Sequence, residues 1–119
     1  MRLLTNYMYK QDARGSVTGL FNEFPLEELN LISTLAGSVR GNHYHQITRE
    51  FFFILTGKLH LLVTDLNNQI IFNAEIAAGT LFMIDPNEIH TITAITDVSW
   101  INGLDKKFSE LNPDFHILK

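Results

Sequence analysis

His43 and His45 are separated by a single residue, so an extended backbone aims both imidazoles to one side. Glu50 follows five residues after His45, just ahead of the apolar run Phe51–Leu55. His90 stands far along the chain, beyond Asp85-Pro86-Asn87. Three imidazoles and one carboxylate suit a divalent transition metal, because neutral nitrogen donors and a single charge hold it without excess anionic repulsion. The other histidines read differently. His60, within Leu59-His60-Leu61, is expected to be a hydrogen-bonded structural residue, and His116 a surface residue.

These side chains need strands to position them. On an extended backbone His90, Ile92 and Ala94 share one face, which places the imidazole with the apolar, inward set. Glu50, Phe52 and Ile54 share a face in the same way. A carboxylate at the head of an inward row is costly to bury unless a cation or metal neutralises it. Tyr44 points opposite to the two histidines and is assigned a structural role.

Strands are expected over Ser16–Phe21, Leu29–Leu35, Phe51–Leu55, Leu59–Val63, Ile70–Phe72, Leu81–Ile84, Ile89–Ile95 and Val98–Ile101. The continuously apolar runs at Phe51–Leu55 and Leu59–Val63 suit strands covered on both sides. Turns are expected at Asp12-Ala13-Arg14-Gly15, Gly57-Lys58, Asp65–Asn68 and Ala77–Gly79. Pro25–Leu29 is read as one short helical turn. Turn signals recur about every 8–12 residues, the rhythm of an all-β barrel or sandwich.

The 119 residues are expected to form one domain over 1–119. Hydrophobic residues make up 45% and charged residues 18%, a globular balance. A formal charge of −4, without a Lys/Arg cluster to displace phosphate counterions, argues against nucleic acid as a partner. No apolar run approaches the ~20 residues of a membrane helix, and Met1–Asn6 lacks a signal peptide's apolar core. The absence of cysteine removes disulfides, thiolate nucleophiles and cysteine-based zinc sites. A cytoplasmic protein is the expectation.

Gly37, His43, His45, Glu50 and Gly57 match the pattern Gly-x5-His-x-His-x4-Glu-x6-Gly without a gap, which resembles the first motif of the cupin superfamily. Gly79 to Ala94 resembles the second, Gly-x5-Pro-x-Gly-x2-His-x3-Asn, with Asp85, Asn87 and Ala94 replacing its Pro, second Gly and Asn. Asn tolerates the left-handed backbone that the glycine would supply. The resemblance implies a cupin-type double-stranded β-helix, or jelly-roll barrel. It also implies His43, His45, Glu50 and His90 as ligands of a divalent metal inside it, which Mn, Fe, Co, Ni or Zn would satisfy. Such binding would weaken as pH falls toward ~6, since imidazole must be neutral to ligate.

Asp12-Ala13-Arg14-Gly15 and Arg40-Gly41-Asn42-His43-Tyr44 are further similar to segments of the dTDP-4-keto-sugar epimerases and ketoisomerases. That similarity implies a nucleotide-sugar substrate in polysaccharide biosynthesis, Arg14 and Arg40 on its diphosphate, and His43 as base with His45 as acid–base partner. The metal and the base compete for the same ring nitrogens. The other readings are a non-catalytic metal- or ligand-binding cupin and an Fe(II)-dependent dioxygenase. Arg14 and Arg40 discriminate: both at the pocket mouth favour an anionic substrate, while arginines pointing into solvent or onto another subunit favour the non-catalytic binding module. A homodimer is the family's usual state, and the Phe51/Phe53/Leu55 row is either its contact face or a second core layer.

Overall fold

The computed structural model describes residues 1–111 and 113–118. Among them the strands are, in chain order, β1 (Arg2–Leu4), β2 (Met8–Asp12), β3 (Gly15–Gly19), β4 (Glu28–Thr34), β5 (Val39–His43), β6 (Glu50–Thr56), β7 (Lys58–Thr64), β8 (Ile70–Ala77), β9 (Leu81–Ile84), β10 (Ile89–Ala94) and β11 (Val98–Leu104). A five-stranded sheet runs β1-β9-β6-β11-β4 and a four-stranded sheet runs β5-β10-β7-β8, all pairs antiparallel. The hairpin β2–β3 forms a separate two-stranded sheet. The all-β jelly-roll expectation holds, and no helix of the described residues is long and apolar enough to cross a membrane.

The two large sheets close over one core. Phe52, Ile54, Phe82, Ile84 and Trp100 face Leu59, Leu61, Val63, Ile76, Ile92 and Ala94, all buried. Phe52 stacks on Phe82, with centroids 4.7 Å apart and planes 6° from parallel. Each such side chain taken fully out of water contributes roughly 1.5–3 kcal/mol of transfer free energy. β7 differs from the expected doubly covered strand: Leu59, Leu61 and Val63 are buried, but His60 and Leu62 on the other face are only half-buried. His60 there bonds to Asn73 Oδ1 across β8 at 2.5 Å, the structural part assigned to it.

Four local expectations are corrected. Pro25–Leu29 is not a helical turn, because its backbone groups go to the neighbouring strand: Glu27 N donates to Leu104 O at 2.8 Å and Glu28 registers with Leu104. Pairing likewise extends β8 to Ala77, opposite Lys58, and β11 to Leu104. Strands β1, β2 and β5 were not among the expected strands, being short and mixed in composition. In the Phe51/Phe53/Leu55 row, Phe51 is buried under Phe21 at 4.7 Å and is core, whereas Leu55 is exposed.

β4 carries an inverted pattern. Its apolar Leu29 and Leu31 are exposed, while Glu28, Asn30, Ile32 and Thr34 turn inward. β4 and β5 are the edges of their respective sheets, and a cavity of about 210 Å³ opens between the layers there.

Candidate functional site

Each histidine reaches this cavity from a different backbone setting. His43 is the last residue of β5, and His90 is registered opposite it on β10. Asn42 and Gly41, with φ of 57° and 98°, wind the strand left-handed just ahead of His43. Asn87, with φ 64°, makes the turn that leads into His90, the conformation expected of it. His45 lies past the end of β5, on the irregular segment before β6, and Glu50 opens β6. The cavity is lined by His43, His45, Glu50 and His90, with Phe52, Ile92 and Trp100 beneath them.

The four side chains converge as their spacing promised. Ring centroids of His43 lie 4.5 Å from His90 and 5.2 Å from His45. Glu50 Oε1 bonds to His45 Nε2 and stands 3.6 Å from His90 Nε2. The second nitrogen of His45, Nδ1, bonds to the main-chain carbonyl of Asp114. Both partners of the ring are acceptors, a setting that favours the doubly protonated ring beside the Glu50 carboxylate.

Glu50 also heads a polar ladder absent from the sequence reading. Asn102 Nδ2 donates to Glu50 Oε2 at 3.0 Å, Asn30 Nδ2 donates to Asn102 Oδ1 at 3.0 Å, and it reaches Glu28 Oε2 at 3.1 Å. The ladder runs from β6 through β11 to the edge strand β4. No local sequence signal announces it, because Asn30 and Asn102 become a cross-strand pair only through the register of β4 on β11.

Electrostatics divide the histidines. Burial pushes His43 down from 6.5 to about 4, and neighbouring His90 adds to the effect. Burial lowers His90 as well. Burial would also lower His45, but the bond and charge of Glu50, with Asp114, outweigh it and raise the ring above its ordinary value. Burial pushes Glu50 up, yet the bond from His45 and the surrounding imidazoles overcome this and hold it at about 2. Opposite shifts on adjacent groups are how one site keeps an acid and a base ready together.

Arg40 lines the same cavity, its direction fixed by bonds from Nε to Thr34 Oγ1 at 2.7 Å and from Nη2 to Ser33 O at 3.1 Å. Arg14 is not brought there. It sits at the tip of the β2–β3 hairpin, exposed and paired with Asp12 at 2.8 Å. Of the two arginines that were to discriminate the readings, one is at the mouth and one is not.

For a divalent ion, the ligand atoms of His43, Glu50 and His90 lie within 4.8 Å of one another. Two imidazoles and a carboxylate fit such an ion, and His90 Nε2 faces Glu50 Oε1 at 3.6 Å. His45, expected as a fourth ligand, stands outside that trio with both nitrogens engaged.

A family model, the polysaccharide biosynthesis C-terminal domain, matches residues 10–115. No curated protein matches the chain. Among solved structures, the capsular polysaccharide assembling protein CapF from Staphylococcus aureus is similar at 22% identity and TM-score 0.73, over 100% of this chain and 33% of CapF. The chain therefore spans about a third of that protein. A dTDP-4-dehydrorhamnose 3,5-epimerase from Sulfolobus tokodaii is similar at 20% identity and TM-score 0.71, over 87% of this chain and 70% of the epimerase. QdtA, a sugar 3,4-ketoisomerase from Thermoanaerobacterium thermosaccharolyticum in complex with TDP, is similar at 14% identity and TM-score 0.75, over 92% and 82%. At these identities the likeness shows the fold, a cupin-type barrel.

Proposed function

The chain belongs to the polysaccharide biosynthesis C-terminal domain family, and from that premise we propose that its cavity moves a proton on the carbon beside the ketone of a nucleotide-linked sugar. The observation that carries this is the pairing of two imidazoles, centroids 5.2 Å apart, whose surroundings push them in opposite directions. At neutral pH burial leaves His43 a neutral ring with a free lone pair, while the bond to Glu50 favours the protonated form of His45.

In the forward step His43 takes the proton from carbon, the C–H electrons form a C=C bond, and the ketone oxygen accepts a proton from His45. Return of a proton to the same carbon from the other face epimerises the sugar. Its return to the former carbonyl carbon, with loss of the hydroxyl proton on the carbon first deprotonated, relocates the ketone. A base titrating near 4 is weak, so the larger part of the acceleration rests on His45 as donor to the developing enolate. Glu50 keeps that donor charged, and Asn102 and Asn30 keep Glu50 in place.

Cavity size supports division of the ligand. Sites for whole drug-sized ligands run roughly 300–1,000 Å³, so about 210 Å³ admits a sugar ring and leaves the nucleotide outside. Arg40 stands at that boundary with Nη1 uncommitted among the described residues, suited to a diphosphate oxygen.

The test is solvent exchange: in D2O, protein incubated with dTDP- or UDP-linked 4-keto-sugars is expected to place deuterium beside the ketone. His43→Asn should slow exchange about 100-fold or more. No deuterium with the wild-type protein and either nucleotide overturns the proposal.

The trio His43, Glu50 and His90 favours a second reading, in which these three hold a divalent ion that would supply Lewis-acid polarisation of a carbonyl. Elemental analysis decides it. Stoichiometric metal lost in His90→Ala supports it, and a metal content unchanged by that substitution removes it.

A further inference from the structure

The segment that carries His45 has no sheet to hold it. β5 ends at His43 and β6 begins at Glu50, so the N–H groups of Gln46, Ile47 and Thr48 lack ladder partners. One side chain from far along the chain takes them all. The Asp114 carboxylate accepts from Gln46 N at 2.7 Å, Ile47 N at 2.9 Å, Thr48 N at 2.9 Å and Thr48 Oγ1 at 2.8 Å. Its own carbonyl receives His45 Nδ1.

The next two residues continue the contact. Phe115 stacks on His43, with centroids 4.4 Å apart and planes 23° from parallel. His116 pairs with Tyr44 through two main-chain bonds, of 2.9 and 3.0 Å. Three consecutive residues therefore meet Tyr44 and the rings on either side of it. Phe115 is 49% exposed and Ile117 57%, so this strap is held by directed bonds and one ring stack more than by burial.

We propose that residues 113–118 form a positioning strap, in which Asp114 sets the orientation of His45 and Phe115 sets that of His43. The proposal rests on the proton-transfer reading for its catalytic consequence, but the orientation itself exists without substrate. His43 on the edge strand β5 can turn about its side-chain bonds, and the flat face of Phe115 removes that freedom. His45 sits on loop backbone, and its ring is fixed at both nitrogens only while the strap carbonyl is present. Neither Asp114 nor Phe115 lines the cavity, so both act through the histidines and not on the sugar.

The experiment compares wild type, Asp114→Ala, Asp114→Asn, Phe115→Ala and Phe115→Tyr by ¹H–¹⁵N spectra of the histidine rings and of the amides, without ligand. Phe115 lies outside the core, so Phe115→Ala keeps the fold and carries the test even where Asp114→Ala does not. The expected result is a barrel amide spectrum close to wild type, a His43 ring signal displaced in Phe115→Ala and restored in Phe115→Tyr, and faster solvent exchange of His45 Nδ1–H in Asp114→Ala. Asp114→Asn, keeping one acceptor oxygen, should fall between. Unchanged His43 and His45 ring signals in Phe115→Ala and Asp114→Ala overturn the strap whatever the activity. In the exchange assay, kcat should fall at least tenfold in Phe115→Ala with KM within twofold. A wild-type protein inactive on every keto-sugar, but with ring signals that move as described, would sink the reaction and leave the strap standing.

Discussion

Trp100 buries its indole at 1% exposure and leaves Nε1 without a hydrogen-bond partner among the described residues. An unmet buried donor costs about 1–3 kcal/mol, which Trp100→Phe would recover against the smaller ring's lost packing. That exchange is expected to lower unfolding free energy by less than about 1.5 kcal/mol, and Trp100→Ala by about 3–5 kcal/mol. Urea denaturation measures both, and equal losses would refute the account. The histidines predict a pH profile. Burial holds His43 at about 4 against 6.5 and lowers His90 too, so below pH 6.5 the unfolded chain binds protons that the folded chain refuses. Stability therefore falls as pH drops from 6.5 toward 4. Glu50, held at about 2 against 4.5, adds a loss below pH 4.5. His45 has the opposite sign: its raised value gives stability that is full below 6.5 and fades as pH climbs through the folded value. The urea midpoint should peak near pH 6.5, and His90→Gln should flatten the acid limb. An acid limb as steep as wild type in that variant would count against the assignment.

Between β5 and β10 the strands approach so closely at Gly41 that a Cβ would meet His90 O at 2.4 Å, on a backbone with φ 98°. Gly41→Ala must push the two strands apart and carry His43 from His90. At Gly37, with φ 85°, a Cβ meets nothing within 4 Å, so Gly37→Ala bears only the backbone penalty of about 1–2 kcal/mol. Thermal and urea unfolding should show Gly41→Ala costing more, by roughly 1–3 kcal/mol. Equal costs would mean that the strands shift freely. Elements like these mark what sequence alone conveys. The inward face of β10 was legible because His90, Ile92 and Ala94 alternate with threonines, whereas that of the continuously apolar β6 followed only from the shared parity of Glu50, Phe52 and Ile54. The convergence of His43, His45, Glu50 and His90 was legible from two motifs in register. β4 misleads, because Leu29, Leu31 and Leu35 alternate like a core face yet stand exposed, while Glu28 and Asn30 serve the cavity. The strap was illegible for another reason: Asp114 meets partners 66 to 69 residues away, and nothing near it announces them.

The whole molecule measures 54 × 31 × 24 Å along its principal axes. Its β2–β3 hairpin shares no sheet with the barrel and exposes Tyr9 and Val17. An isolated two-stranded hairpin is marginal in water. Amide hydrogens of β2 and β3 are therefore expected to exchange about 100-fold or more faster than those of β7 and β10, since local opening needs far less free energy than unfolding of the core. Equal protection would show that another surface covers the hairpin, and sedimentation at the same concentration would tell whether a second copy does so. The barrel itself keeps its chemistry and its volume in separate hands. His43, His45, Glu50 and His90 supply its imidazoles and buried carboxylate, while Ile32, Phe52, Ile92 and Trp100 supply apolar lining. Trimming Ile92 to alanine would enlarge the chamber without touching any titratable atom. Under the proposed reaction, the set of sugars admitted would change with this apolar lining while the proton transfer carried out on them stayed the same.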